Sequence, residues 1–125
     1  MDVNSIEDSE LLYRVVRNSN PNGFINGKPT AALFMDDKGT SVERDGQRSE
    51  IEIIKKFRER FGKHQDFKTA VKISAGECRK IGTYPNPINN IRNVYHAEIH
   101  ESSFQIEISL FKAMQLAEQC REVEL

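Results

Sequence analysis

The sequence predicts an α+β fold, a small mixed or antiparallel sheet of about four or five strands with two main helices packed on one face. Two observations carry that prediction. Ser49-Glu50-Ile51-Glu52 and Ser74-Ala75-Gly76-Glu77 are capping boxes, in which the serine oxygen caps an early amide and the glutamate reaches back. Residues 10–17 and 67–73 are instead rich in β-branched and aromatic residues, and the second stretch alternates apolar with polar. Length completes the argument: 125 residues suffice to close one core and not two, so residues 1–125 are expected to form one α+β domain.

In chain order, residues 1–9 are polar and are expected to form a loose arm. Residues 10–17 follow as a strand in which Leu12, Arg14 and Val16 share a face, leaving Arg14 among apolar neighbours. Asn22-Gly23 and Asn26-Gly27 accept the positive φ of tight turns, with Phe24 and Ile25 between them as anchors to the core. Residues 30–35 and 40–44 read as a hairpin turning at Asp36-Asp37-Lys38-Gly39, although Ala31-Ala32-Leu33 equally suits the start of a helix. The first capped helix runs to Phe61 and stops at Gly62. Ile54, Phe57 and Phe61 form its buried stripe, with Ile51 or Ile53 at the edge.

In the strand at 67–73, Phe67, Val71 and Ile73 are expected to face inward, with Lys68 and Lys72 outward. The second capped helix is short and ends at Ile81 before Gly82. Residues 83–93, with two prolines and four asparagines, read as a loop, and 94–99 as a strand. From about residue 103 the period turns helical. Ile106, Leu110, Phe111, Met114 and Ala117, with Cys120 or Arg121, are expected on its inner face, and the last four residues are expected to fray.

Charge and cysteine usage bound the function. A hydrophobic share of 38% with 30% charged residues describes a globular protein with a well-charged surface. A net charge of -1 argues against a general nucleic-acid coat or a membrane-surface binder. The longest apolar run, Ala31-Ala32-Leu33-Phe34-Met35, is far below the roughly 20 residues of a membrane span. The acidic start lacks the basic and apolar regions of a signal peptide, so a cytoplasmic location is expected. Cys78 and Cys120 stand alone and are expected to be free thiols in the core, with neither a disulfide nor a zinc site.

The densest set of chemically capable side chains lies at His96, Glu98 and His100, which share one strand face. Two imidazoles and a carboxylate suit a metal site, or His96 as a general base oriented by Glu98. Ordinary alternation explains the same spacing as a solvated face, with Tyr95, Ala97 and Ile99 inward. His96 follows a long polar loop and keeps weight as an acid, a base or a binding group. Arg14 offers a bidentate fork for phosphate or carboxylate, or covers apolar surface with its stem. Ser41 is a nucleophile in principle, with no Gly-x-Ser-x-Gly elbow around it. Cys78 beside Arg79 and Lys80 reads either as a thiol of lowered pKa or as a buried one.

Residues 44–72 hold nine Lys or Arg against five Asp or Glu, a basic excess that supports nucleic-acid contact weakly, because no aromatic residues interleave for stacking. There is no glycine-rich phosphate loop, Walker motif, dinucleotide fingerprint or zinc-hydrolase motif, so neither a cofactor nor a metal is expected.

Leu12-Tyr13-Arg14-Val15-Val16-Arg17, Leu33-Phe34, Ser41-Val42 with Arg44-Asp45, Ala75-Gly76-Glu77-Cys78-Arg79, Gly82, Pro85 to Pro87 and His96-Ala97-Glu98-Ile99 together resemble a small stand-alone bacterial domain. The resemblance covers most of residues 11–99 and implies a bacterial cytosolic protein with a shared fold and no assigned activity. A second resemblance is to ADP-ribosyltransferases of the arginine-serine-glutamate type, on the order of Arg14, Ser41 and Glu98. Here Thr40-Ser41-Val42 stands where that family has Ser-Thr-Ser, and the chain is short for its fold.

Two functions follow as expectations. The first is a protein that binds another macromolecule, a protein partner for example in a toxin–antitoxin or defence locus. The second is an enzyme acting on a nucleotide or RNA, with Arg14 gripping phosphate and His96 as acid or base. Such an enzyme requires Arg14 and His96 to approach within about 10 Å in one pocket, near enough to bracket one phosphate-bearing ligand, and is excluded if they lie on opposite sides of the sheet. The sequence leaves the oligomeric state open.

Overall fold

A computed structural model describes residues 1–88 and 90–125. β1 (Leu11–Arg17) leads through a 3-10 turn at Pro21–Gly23 into a two-stranded ribbon, β2 (Phe24–Ile25) and β3 (Lys28–Pro29). A second 3-10 segment, Ala31–Phe34, precedes β4 (Thr40–Arg44), α1 (Glu50–Phe61), β5 (Phe67–Ser74) and α2 (Ala75–Ile81). β6 (Tyr84–Pro87), β7 (His96–His100), α3 (Leu110–Gln119) and β8 (Arg121–Glu122) complete the chain. The main sheet has the order β6-β7-β4-β1-β5-β8 and is antiparallel at every pairing.

The α+β class stands, with six strands in the main sheet where about four or five are expected from the sequence. The helices also differ in placement. Tyr13 and Ala70 pack against Ile53, Ile54 and Phe57 of α1 on one face. Leu12, Val16, Val71 and Ile73 pack against Ala75 and Cys78 of α2 and Ala113 and Leu116 of α3 on the other. Alternate residues of β1 and β5 therefore feed two cores, and the sheet is covered on both sides.

Both capping boxes form: Ser49 Oγ accepts from the Glu52 amide at 3.2 Å, and Ser74 Oγ from the Glu77 amide at 3.1 Å. Within α1 the inner edge is Ile53, while Ile51 is 81% exposed. Phe67 joins the α1 core instead of lying with Val71 and Ile73, because a register shift between Val16 and Arg17 changes the phase of the β1–β5 ladder. Ile25 is exposed, and Phe24 alone anchors the ribbon.

The expected strand at 30–35 is the 3-10 segment instead, so there is no hairpin with 40–44. Leu33 and Phe34 are both buried, and a strand cannot point two consecutive side chains into one core. The expected loop at 83–93 contains β6. Its Pro85 and Pro87 sit on an edge strand, where the missing N–H groups cost no ladder bond. β7 starts two residues later than the sequence suggests, at His96.

Both termini are held. Arg44, 1% exposed, donates to both carboxylate oxygens of Glu10 at 2.8 Å and to the carbonyls of Asp2 and Ser5. Arg79 donates to Asp8 and to the Ile6 carbonyl, and Ile6 is buried. The N-terminal segment is thus a strap pinned by two arginines and not a loose arm. At the other end β8 pairs with β5 and Val123 is buried, so the C-terminus extends the sheet where fraying is expected.

Cys78 and Cys120 are free and buried. Burial pushes each thiol up to about 12. A thiol needs its thiolate to react, so neither cysteine should be labelled by a disulfide reagent at pH 8 in the native protein. Both should react at once in denaturant, and the release of chromophore with time reads the difference.

Candidate ligand-binding cleft

β1 and β4 are neighbours that pair at only two positions, Leu12 with Arg44 and Tyr13 with Glu43. β1 continues to pair with β5 as far as Arg17, and β4 pairs with β7 from Thr40 to Glu43. Past Tyr13 the centre of the sheet is therefore open. Arg14 bridges the opening: its Nε donates to the Leu33 carbonyl and its Nη1 to the Ser41 carbonyl, both at 2.9 Å. The 3-10 geometry of Ala31–Phe34 is what turns the Leu33 carbonyl toward this fork.

A cavity of about 340 Å³ lies over the opening, and its walls include Arg14, Ser41 and His96, the three residues singled out from the sequence. The register places Arg14 opposite Val71, whereas His96 pairs with Glu43 and so shares the face of Tyr13. Arg14 and His96 thus start from opposite faces of the sheet. They reach one cavity because the ladder between β1 and β4 is interrupted.

Four further residues complete the site, and sequence reasoning did not find them. Tyr13, Phe57 and Phe61 give the cavity an aromatic lining, and Arg60 joins them from the last turn of α1. The signal was present in Phe57, Arg60 and Phe61, spaced three and four apart on the inward edge of the helix.

Charge in the cleft is uneven. Arg17 is paired with Asp66 at 2.5 Å. Glu43, 4% exposed, accepts from Arg48 and from Asn93, both at 2.9 Å. Arg48 in turn stacks at 3.5 Å on the Tyr95 ring, and its Nη1 is buried without a partner among the described residues. That leaves Arg14 and Arg60 facing the single carboxylate of Asp36. Burial pulls the Arg14 guanidinium below its usual pKa, an effect that Asp36 partly offsets. The Arg60 guanidinium lies over the Phe61 ring, 5.9 Å from its centroid, and is in no ion pair among the described residues. Arg14 Nη2 and Ser41 Oγ make no hydrogen bond among those residues either.

The His96, Glu98 and His100 side chains are 23%, 19% and 13% exposed, so they are not the solvated strand face that alternation suggests. Glu98 Oε1 lies 2.7 Å from His100 Nε2, and Oε2 lies 3.9 Å from His96 Nε2. Gly39, at φ +116°, packs against this carboxylate so closely that a Cβ there would overlap it. Among the described residues no three His, Cys, Asp or Glu side chains are placed to hold a metal ion. The Glu98 carboxylate is hydrogen-bonded to His100 and stands beyond hydrogen-bonding distance of His96, which lines the cleft.

For the arginine-serine-glutamate resemblance, Arg14 touches Ser41, and Glu98 is the cross-strand partner of Ser41. Glu98 is nevertheless engaged by His100 and is not among the described residues that line the cavity. No family model, curated protein or solved structure matches the chain.

Proposed function

We propose that the protein binds, and acts on, a small phosphate-bearing ligand of the mononucleotide class in the cleft between β1 and β4. The observation that carries this reading is the convergence of Arg14, Ser41 and His96 on one cavity. A guanidinium Nη2 and a hydroxyl that make no hydrogen bond among the described residues, together with an imidazole, are the donors a phosphate group recruits. Arg60 adds a cation, and the half-buried ring of Phe61 is the aromatic surface left for a planar base. The volume is at the small end of ligand pockets and suits one nucleotide better than a polymer. His96, which lines the cavity, is the residue to move a proton at the bound ligand.

Calorimetric titration with inorganic phosphate, ribose 5-phosphate and the four ribonucleoside monophosphates tests the reading. A monophosphate should bind more tightly than phosphate alone. Arg60→Ala, at an exposed position, should leave the melting temperature unchanged and weaken binding roughly three- to tenfold, the loss of one charge-assisted contact near solvent. Equal binding by wild type and Arg60→Ala would contradict it.

A protein partner is a second reading, and a different surface favours it. Leu110, Phe111 and Met114 of α3 are expected in the core on periodicity, but they are 59%, 70% and 55% exposed. Ile108, Ala113 and Leu116 fill the core in their place.

A further inference from the structure

A second hollow, of about 300 Å³, opens beside the cleft and shares three walls with it, Arg17, Arg60 and Phe61. α1 ends at Phe61, and the turn through Gly62 brings Lys63 and His64 to this hollow at the end of β1. Its one carboxylate among the described residues, Asp66, is already engaged: Oδ2 accepts from Arg17 and Oδ1 from the Ser19 amide. The Lys63 and His64 side chains are exposed and make no ion pair or hydrogen bond among the described residues. Arg60 stands between the two hollows in no ion pair either, and Glu59, its neighbour in sequence, lines neither of them. The positive charge of Arg60 and Lys63 is therefore uncompensated, and a protonated His64 adds to it.

Cations at a helix C-terminus also complement its free carbonyls, a role that needs no ligand. Position goes beyond that role. The Phe61 ring and Arg60 border both hollows, so a ligand with its base against Phe61 meets cations on two sides. Arg14 and Arg17 are three residues apart on β1, about 10 Å along the strand at roughly 3.3 Å per residue. Adjacent phosphates of a diphosphate are joined through one oxygen and do not span such a distance. The 5′ and 3′ oxygens of one nucleoside leave from opposite sides of the ribose, and Lys63 reaches in on a flexible stem.

We propose that the ligand is a nucleoside bearing phosphate on both its 5′ and its 3′ oxygen, one group held at Arg14, Ser41 and His96 and the other at Arg60, Lys63 and His64. The inference rests on the cleft reading and names its substrate class. A free 3′,5′-bisphosphate and a 5′-phosphorylated RNA end present the same unit.

Calorimetric titration of the full chain tests it with the 5′-monophosphate, the 5′-diphosphate and the 3′,5′-bisphosphate of each of the four ribonucleosides. The bisphosphate should bind roughly three- to tenfold more tightly than the monophosphate, the gain of one charge-assisted contact near solvent, with the advantage shrinking as salt is added. The diphosphate should gain less. Lys63→Ala with His64→Ala, at exposed positions, should bring the bisphosphate down to the affinity of the monophosphate at an unchanged melting temperature, and Lys63→Arg should keep the advantage. A 5′-phosphorylated dinucleotide assigns the source: binding as tight as the bisphosphate points to an RNA end, and weaker binding to the free compound. The proposal is overturned if the bisphosphate binds no more tightly than the monophosphate, if the diphosphate matches it, or if the alanine pair weakens both ligands alike. In those outcomes a bound monophosphate leaves the cleft reading standing, whereas no binding by any of these ligands overturns both.

Discussion

Replacing Arg44 by Met is expected to remove about 3–5 kcal/mol of stability, the usual cost of breaking a buried ion pair from one side. Arg44 is the largest fully buried side chain among the described residues, and its guanidinium is bound on every edge. Two of its bonds go to the Glu10 carboxylate and the others to carbonyls of the N-terminal segment. Methionine fills the space of the stem but leaves Glu10, whose side chain is 10% exposed, as an uncompensated charge. The carbonyls of Asp2 and Ser5 lose their donor as well. Denaturant unfolding should show the lower midpoint, and limited proteolysis should cut within residues 1–9 before the remainder unfolds. Glu10→Gln with Arg44→Met should recover part of the loss, since the orphaned charge is then removed too. An Arg44→Met protein of wild-type stability would mean that the strap contributes nothing.

Replacing Arg14 by Leu is expected to cost about 1–3 kcal/mol of stability, because the Leu33 and Ser41 carbonyls then lose their donor in a half-closed site. Its larger effect should be on ligand affinity. Among the described residues Nη2 of Arg14 makes no hydrogen bond, which leaves that edge for the proposed ligand. A charge-assisted bond of about 1.5–3 kcal/mol corresponds to roughly 10- to 150-fold in affinity. Arg14→Lys separates charge from shape: it keeps a cation but cannot span Leu33 and Ser41 with a planar fork. The lysine variant should therefore bind more weakly than wild type and unfold earlier. Calorimetry and thermal melting on the same samples read both quantities, and an Arg14→Lys protein equal to wild type in both would remove Arg14 from the site.

The helices with capping boxes and the alternating strands were legible because their determinants are local. Ser49 and Glu52, or Ser74 and Glu77, are three residues apart and need no tertiary partner. What the sequence hid depends on long-range context. The polar start of the chain looks loose until Arg44, some forty positions away, is seen to bind it. Proline-rich residues 84–87 look like a loop because an edge strand differs from a central one only in what lies beside it. In α3 two apolar stripes compete, and Ala113 and Leu116 take the core although Phe111 is larger, joined there by Ile108 just ahead of the helix.

The candidate site was legible as three residue types and not as a place. Arg14 stands out as a charge in an apolar strand, and His96 as an imidazole after a polar loop. That they share a cavity follows from the two-pair ladder between β1 and β4, which no spacing in the chain reveals. Phe57 and Phe61 fall in the buried stripe that periodicity predicts for α1, and that stripe alone does not show that they border a cavity.

The most direct test of the cleft is an amide and side-chain NMR titration of the full chain with adenosine monophosphate, repeated with inorganic phosphate. Saturable shifts confined to Arg14, Ser41, Arg60, Phe61 and His96 are predicted, larger for the nucleotide than for phosphate and displaced to higher concentration in Arg60→Ala. Shifts that do not saturate, or that gather on the exposed apolar face of α3 while these residues stay still, would contradict it.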